Sequence, residues 1–434
     1  MQPAKPPAAG SVTPRRTADG AHPTAGAAAP FEAILISLGL FLVLAIPAAL
    51  VLPFPSLIDE LAHLSYARAL ALHPQLFPDL STFHQLKADL SDWSDELNYL
   101  NHPSLYYLLM APLSGLGLGG VPILRLVNVG IVTCGLALVL VAGCRLFATR
   151  QQKLTFALVS VAFPKTAGIA GMINNDNLAV LAGGLIFFGL VEDVAIVAAL
   201  GLALAGWTKL TALVALGAVV GVSRLFAIWR GAPLVSQTHI ILVDGAIVGA
   251  IPYVVNLIRT GHVLHWNESF VSVPDAARVM LSVPDYLYVF LVQFAQRWPV
   301  NEATLADTAL LPVSLLVALL GLAGFGAGVA RRSLPPGQQQ LALAYLAAFA
   351  ITMLVHLGFG WQFYKAFGNL TTPEPRYYAI LWPGLAVAIA CAINAIPASW
   401  PQRLAGSLRC ACLLFILWPT LLGALLLQIF LPTD

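Results

Sequence analysis

Runs of apolar residues divide most of the chain, and the short polar stretches between them set its organisation. Phe31 to Pro53 is the first such run, long enough to cross a bilayer core of about 30 Å, which needs roughly 20 residues. It exceeds the apolar region of a signal peptide, so it reads as a retained helix rather than a cleaved leader. Further runs follow at about 121–147, 153–171, 178–192, 194–207, 210–226, 238–257, 308–329, 340–358, 377–396 and 407–430. Together they predict an all-α polytopic membrane protein of about 11 transmembrane helices, within a range of about 10 to 13. The runs at 178–192, 194–207 and 210–226 are short and interrupted by "VED" and "GWTK", as expected of spans that tilt or are sheltered by neighbours. Residues 1–30 are rich in Ala and Pro, lack apolar periodicity and are expected to form a disordered tail; 31–434 are expected to form one transmembrane domain.

Charge orients this framework. Bases gather in short connections: Arg15 and Arg16; Arg145, Arg150 and Lys153; Arg224 and Arg230; Arg331 and Arg332; Arg403 and Arg409. The positive-inside rule places these segments in the cytoplasm. That predicts a multi-pass protein of the cytoplasmic (inner) membrane with its N-terminus inside and its C-terminus outside. Three longer segments, about 54–120, 258–307 and 359–376, then lie on the outer or periplasmic face. In the first, "DELAHLSYARALAL" sets Leu61, Leu64, Ala67 and Leu72 at helical spacing, which predicts an amphipathic helix lying on the membrane surface. "DYLYVFLVQFAQRW", Asp285 to Trp298, is a second such stretch.

Composition narrows the class. The chain has 434 residues, 59% hydrophobic and only 10% charged, whereas a soluble domain carries about 25% charge. A lipid bilayer is therefore the first partner, and no nucleic-acid partner is implied. The five cysteines, Cys134, Cys144, Cys391, Cys410 and Cys412, lie in or at the ends of apolar runs without metal-ligand spacing and read as inert helix residues. Trp207, Trp266, Trp298 and Trp361 read mainly as interface-belt residues.

Candidate chemistry sits in polar islands at the outer helix ends: "DELAH" (59–63), "NHPSLYYLLMAPL" (101–113), "FPKTAGIAGMINNDNLAVLAGGL" (163–185), "GWTKL" (206–210) and "EPRYYAILWPGLAV" (374–387). Ionisable groups beside so much apolar sequence point to a functional site. Asp59 and Glu60 would stand about 100° apart on a helix, so one faces a cavity while the other supports it or faces solvent. An acid at this position also suits a helix N-cap, and the two roles are compatible. His63, four residues after Asp59, falls on the same helical face, so the pair has the spacing of a metal site, and a divalent cation is a candidate cofactor. His102 precedes Pro103 beside Asn101 and reads equally as part of a structural turn or as a metal or substrate ligand. Lys209 and Arg376 are the leading phosphate candidates, followed by Arg125 and Lys165: guanidinium forks and ammonium point charges both suit phosphate oxygens, and the same residues equally suit interfacial anchoring beside Tyr377 and Tyr378 or snorkelling to the interface.

These motifs occur in an order that resembles the GT-C type membrane glycosyltransferases. An acidic pair after the first helix, an "HPxLYYLL" segment closing the first outer loop, "LRLVN", an "NND" turn, "WTKLTAL" and a late "RYYAILWPGLAV" look like those of aminoarabinose lipid A transferases, protein O-mannosyltransferases and related bacterial membrane proteins. The resemblance covers about 55–225 and 370–390 and rests on order and topology rather than on any one motif. It implies a GT-C fold with outer-face amphipathic helices, and transfer of a sugar from a polyprenyl-phosphate donor to an outer-face glycan, lipid or protein acceptor with inversion at the sugar carbon. It further implies Asp59 as general base, Glu60 and Asp176 as supporting carboxylates, and substrate contacts from His63, His102, Tyr106, Asn175 and Tyr377. Asp176 equally suits a cap on the following helix. Two other classes remain open on the residues alone: a transporter or flippase of a lipid-linked or anionic solute, and a non-catalytic subunit of an envelope complex.

Overall fold

A computed structural model describes residues 29–56, 59–115, 120–163, 166–264, 280–296, 322–326, 328–329, 334–368, 370, 374–396 and 401–429. Most of the expected N-terminal tail, Lys165, much of the loop at 258–307 with Trp266 and Trp298, and the first part of the run at 308–329 lie outside the described residues.

The helices follow the apolar runs. In chain order they are α1 (Ala29–Val51), α2 (Glu60–Leu72), α3 (Leu105–Gly115), α4 (Val121–Gly143), α5 (Arg150–Ser160), α6 (Thr166–Ala170), α7 (Asp176–Val191), α8 (Ala195–Gly206), α9 (Leu210–Trp229), α10 (Gln237–Thr260), α11 (Val283–Gln296), α12 (Pro336–Phe367), α13 (Trp382–Asn394) and α14 (Gln402–Ile429). Among the described residues six helical segments are long and apolar enough to cross a membrane: Phe31–Val51, Val121–Leu146, Leu210–Trp229, Gln237–Thr260, Pro336–Phe367 and Arg376–Asn394. Shorter apolar helices, α7 and α8 among them, stand beside these. The fold class is therefore the expected all-α polytopic membrane protein.

Two elements differ from the sequence reading. The run at 153–171 is broken into α5 and α6, with Pro164 in the gap; a proline has no backbone N–H and cannot continue a helical ladder. The run at 340–358 extends as α12 to Phe367, so the helix takes in part of the segment expected to be loop.

Ion pairs and contacts at the helix ends sort the molecule into two poles. At one, Arg150 pairs with Glu32, Arg145 pairs with Glu192, and Gln338 donates to the Leu146 carbonyl. At the other, the end of α1 meets Arg125, and Asp176 meets Lys209 and Arg376. Successive long helices run from one pole to the other, so the described connection with Arg145 and Arg150 lies at the first pole and the acidic residues Asp59 and Asp176 at the second. Close helix crossing supports this arrangement. A Cβ on Gly184 of α7 would stand 2.4 Å from the carbonyl oxygen of Gly135 in α4, so only glycine allows that approach.

The first long loop folds as a cap over the second pole. Its hairpin, β1 (His84–Leu86) with β2 (Trp93–Leu97), pairs antiparallel with His84 opposite Leu97. Leu64, Tyr66, Ala67 and Leu70 of α2 pack with Leu86, Leu100, Tyr106, Tyr107 and Met110, and with Leu124, Ile173 and Leu178 of the membrane helices. The expected surface helix is thus corrected: α2 buries Glu60, His63 and Ser65 as well as its leucines, while Leu72 stays exposed. Apolar periodicity located the helix, but its buried polar residues pair with partners distant in sequence, which periodicity does not reveal. By contrast α11 is two-faced as expected: Tyr286 and Phe290 pack on Tyr364 of α12, and Leu287, Tyr288 and Leu291 are exposed.

Candidate active site

Adjacent acids are sent to different tasks by one backbone torsion. Asp59 adopts the left-handed conformation (φ 54°, ψ 12°) immediately before α2. A single non-glycine residue there costs about 1–2 kcal/mol, and Asp is among the few that tolerate it. The Asp59 side chain makes no capping bond to α2. Instead its Oδ1 accepts from the Tyr99 hydroxyl at 2.6 Å and its Oδ2 from Arg376 Nη2 at 3.0 Å. With a side chain 35% exposed, Asp59 remains open to solvent.

Glu60 is fully buried. Its two oxygens take a bidentate pair from Arg125, Nε to Oε1 at 2.8 Å and Nη2 to Oε2 at 2.7 Å, and accept the backbone N–H groups of Ile173 and Ser56. Arg125 spends its remaining N–H groups on the carbonyls of Ala49, Leu52 and Pro53. All five donors of that guanidinium are engaged, so Arg125 is a lock between α4, α1 and the cap, not the phosphate ligand expected from sequence. Glu60 likewise supports the site from behind without facing it.

Three helix termini complete the cluster. Asp176 opens α7, Lys209 lies in extended backbone between α8 and α9, and Arg376 lies in a 3₁₀ turn, Pro375–Leu381, that leads into α13. Lys209 Nζ donates to Asp176 Oδ1 at 2.9 Å. Arg376 Nε stands 3.6 Å from Asp176 Oδ2, an ion pair too long for a hydrogen bond. Tyr377 completes the wall, with Lys209 Nζ 4.0 Å and the Arg376 guanidinium 5.3 Å from its ring centre. Arg376 Nε and Nη1 and Asp176 Oδ2 are buried without hydrogen-bond partners. An unpaired buried guanidinium edge is costly unless something completes it.

For Asp59, burial pushes the carboxyl pKa up, but the Arg376 charge and the Tyr99 hydroxyl outweigh burial, and the net is below the ordinary aspartate value. His63 is buried on α2, its Nδ1 2.9 Å from the Tyr107 hydroxyl and its ring stacked 6.1 Å from that of His102. Burial pushes His63 down to about 4 and His102 well below its usual range, so both rings are neutral at pH 7. They are polar walls rather than cations.

Tyr106 and Asn175 are support residues. The Tyr106 hydroxyl donates to Asn128 Oδ1, which also accepts from Asn177, and Asn175 Nδ2 donates to the Thr208 carbonyl. Sequence reading missed Tyr99 and Asn128. Tyr99 lies two residues before "NHPSLYY", and nothing in local spacing signals a hydroxyl that reaches back to Asp59; Asn128 lies within "LRLVN" as the sole polar residue of an apolar stretch after Arg125. The residues do not fit the candidate divalent cation. Both Asp59 oxygens and Asp176 Oδ1 already hold donors, His63 Nδ1 faces Tyr107, and among the described residues no three or more His, Cys, Asp or Glu are placed together so as to hold a metal ion.

This architecture, an apolar helical body with a carboxylate and cation cluster under a folded loop, is a GT-C-like fold. The chain is similar to the crystal structure of ArnT from Cupriavidus metallidurans bound to undecaprenyl phosphate, with a TM-score of 0.51 and 13% identity over 91% of this chain and 72% of that one. The apo structure of ArnT from the same organism aligns with a TM-score of 0.48 and 14% identity, over 92% of this chain and 73% of that one. No family model matches the sequence, and no curated protein matches it.

Proposed function

We propose that the protein is a membrane glycosyltransferase that moves a sugar from a polyprenyl-phosphate donor to a hydroxyl acceptor, with the cluster at the outer face. The observation that carries this reading is the buried Arg376 guanidinium, with Nε and Nη1 lacking hydrogen-bond partners between Asp59 and Asp176 and Lys209 alongside. The undecaprenyl phosphate bound by the ArnT of similar fold supports the choice of donor.

In this scheme Arg376 and Lys209 hold the donor phosphate. The acceptor oxygen attacks the anomeric carbon from the face opposite the phosphate, forming the new C–O bond as the bond to phosphate oxygen breaks. The electron pair leaves on the phosphate, where the two cations stabilise it. The hydroxyl proton passes to Asp59, and the sugar carbon inverts. Phosphate competes with Asp59 for Arg376, so donor binding loosens one bond on the base. A positioned base contributes about 10²–10⁴-fold.

The test is turnover of radiolabelled undecaprenyl-phosphate sugars by the purified protein in nanodiscs supplied with candidate glycan, lipid and protein acceptors. Wild type is expected to release undecaprenyl phosphate, and Asp59→Asn to lose about 10²-fold or more of that rate. Unchanged turnover in Asp59→Asn would sink the base assignment.

A further inference from the structure

A cavity of about 460 Å³ opens beside the cluster, between the segment 76–81 and the last turns of α10. Pockets that enclose small ligands span about 300–1,000 Å³. His102 forms part of its wall and stacks on His63, which lies in the field of Asp59 and Asp176. The stacked rings of His102 and His63 thus link the cavity wall to the neighbourhood of the carboxylates.

Its two walls carry complementary polar groups. Asp79 and Ser81 come from the cap, and Asn256, Arg259 and Thr260 from α10, with Asn101 between them. Asp79 fixes Ser81 through its N–H and hydroxyl, at 3.0 and 2.6 Å. Phe77 offers a ring held by Arg259, which donates to the Phe77 carbonyl at 2.9 Å and lies 5.7 Å from the ring, and by Trp207 at 5.5 Å. Such preorganisation lowers the cost of binding.

The lining selects a chemical class. The lining sets one carboxylate, Asp79, against one guanidinium, Arg259, and so offers no net charge to a phosphate, while an acyl chain would strand amides and hydroxyls without partners. Neighbouring hydroxyl groups, each donor and acceptor, use the mixture of carboxylate, amide and guanidinium, and the C–H face of a sugar suits an aromatic ring. We propose that this cavity binds a neutral saccharide and is the acceptor subsite. Its role as acceptor site rests on the transferase reading above; saccharide binding does not.

The experiment uses the full chain in nanodiscs with diazirine-bearing trisaccharides of glucose, mannose and galactose, cross-links being mapped by peptide mass spectrometry. Label is expected on 76–81 or 252–260. It should fall at least about tenfold, equivalent to about 1.4 kcal/mol, in Asn256→Trp and in Ser81→Trp, which fill the cavity from opposite walls. Undecaprenyl phosphate binding, measured on the same samples, should be unchanged in both variants, which also reports that they fold. The proposal is overturned if no trisaccharide labels these segments, if both variants label like wild type, or if a diazirine-bearing serine/threonine peptide labels the cavity in preference to the sugars. Saccharide labelling without undecaprenyl phosphate binding would instead overturn the transferase reading and leave the saccharide site standing.

Discussion

At Asp59 two donors grip one carboxylate, and each favours its ionised form. The sign of the pH dependence follows. Because the folded pKa lies below the ordinary value of about 3.9, the Asp59 carboxylate stays charged as pH falls from neutrality and is protonated only as pH drops through that depressed value, where the proposed base would be lost. Tyr99→Phe removes one donor and raises the pKa of Asp59, so the acid limb of the turnover profile should move to higher pH. A pH–rate series on the two proteins reads this directly; superimposable acid limbs would show that Tyr99 does not tune the base. His63, neutral at pH 7 by burial, adds no limb near pH 6. The roles of Asp59 and Glu60 were half legible in the sequence. That only one of two neighbours faces the cavity follows from geometry; that Glu60 is the buried one depends on Arg125, 65 positions away.

Among the elements, the Glu60–Arg125 pair decides how the cap sits on the helices. It joins α2 to α4, to the end of α1 and, through the Ile173 N–H, to the turn before α7 that carries Asp176. Removing one partner strands a buried charge at a cost of about 3–5 kcal/mol. Arg125→Met should therefore lower the melting temperature in detergent sharply, and adding Glu60→Gln should recover part of the loss. A double variant as unstable as the single one would show that the charge pair is not the source. Apolar runs made α7, α8 and α9 legible despite their short lengths, because "VED" and "GWTK" mark true helix ends. The break between α5 and α6 had a signal in Pro164 that the apolar run around it outweighed, whereas the extension of α12 to Phe367 had none, since the apolar and aromatic residues there suit helix and loop alike.

For the whole molecule, alternation of the helices brings Asp59, Asp176, Lys209 and Arg376 to one pole although they span most of the sequence. The all-α membrane fold was therefore readable from hydropathy and charge; four of the five polar islands meet in the cluster and the fifth, through His102, lines its wall. The positive-inside rule predicts that the cluster faces outward. An impermeant maleimide should label Ser91→Cys in intact cells, above the wild-type background, and Gln151→Cys only after permeabilisation; the opposite pattern would invert the topology. The central claim is that Arg376 and Lys209 form a lipid-phosphate site beside Asp59. An experimental density map of the protein with undecaprenyl phosphate tests it most directly. The phosphate is predicted to lie within about 3 Å of Arg376 Nη1 or Nε and of Lys209 Nζ. Phosphate density bound elsewhere, with the Arg376 to Asp59 bond intact, would contradict the account.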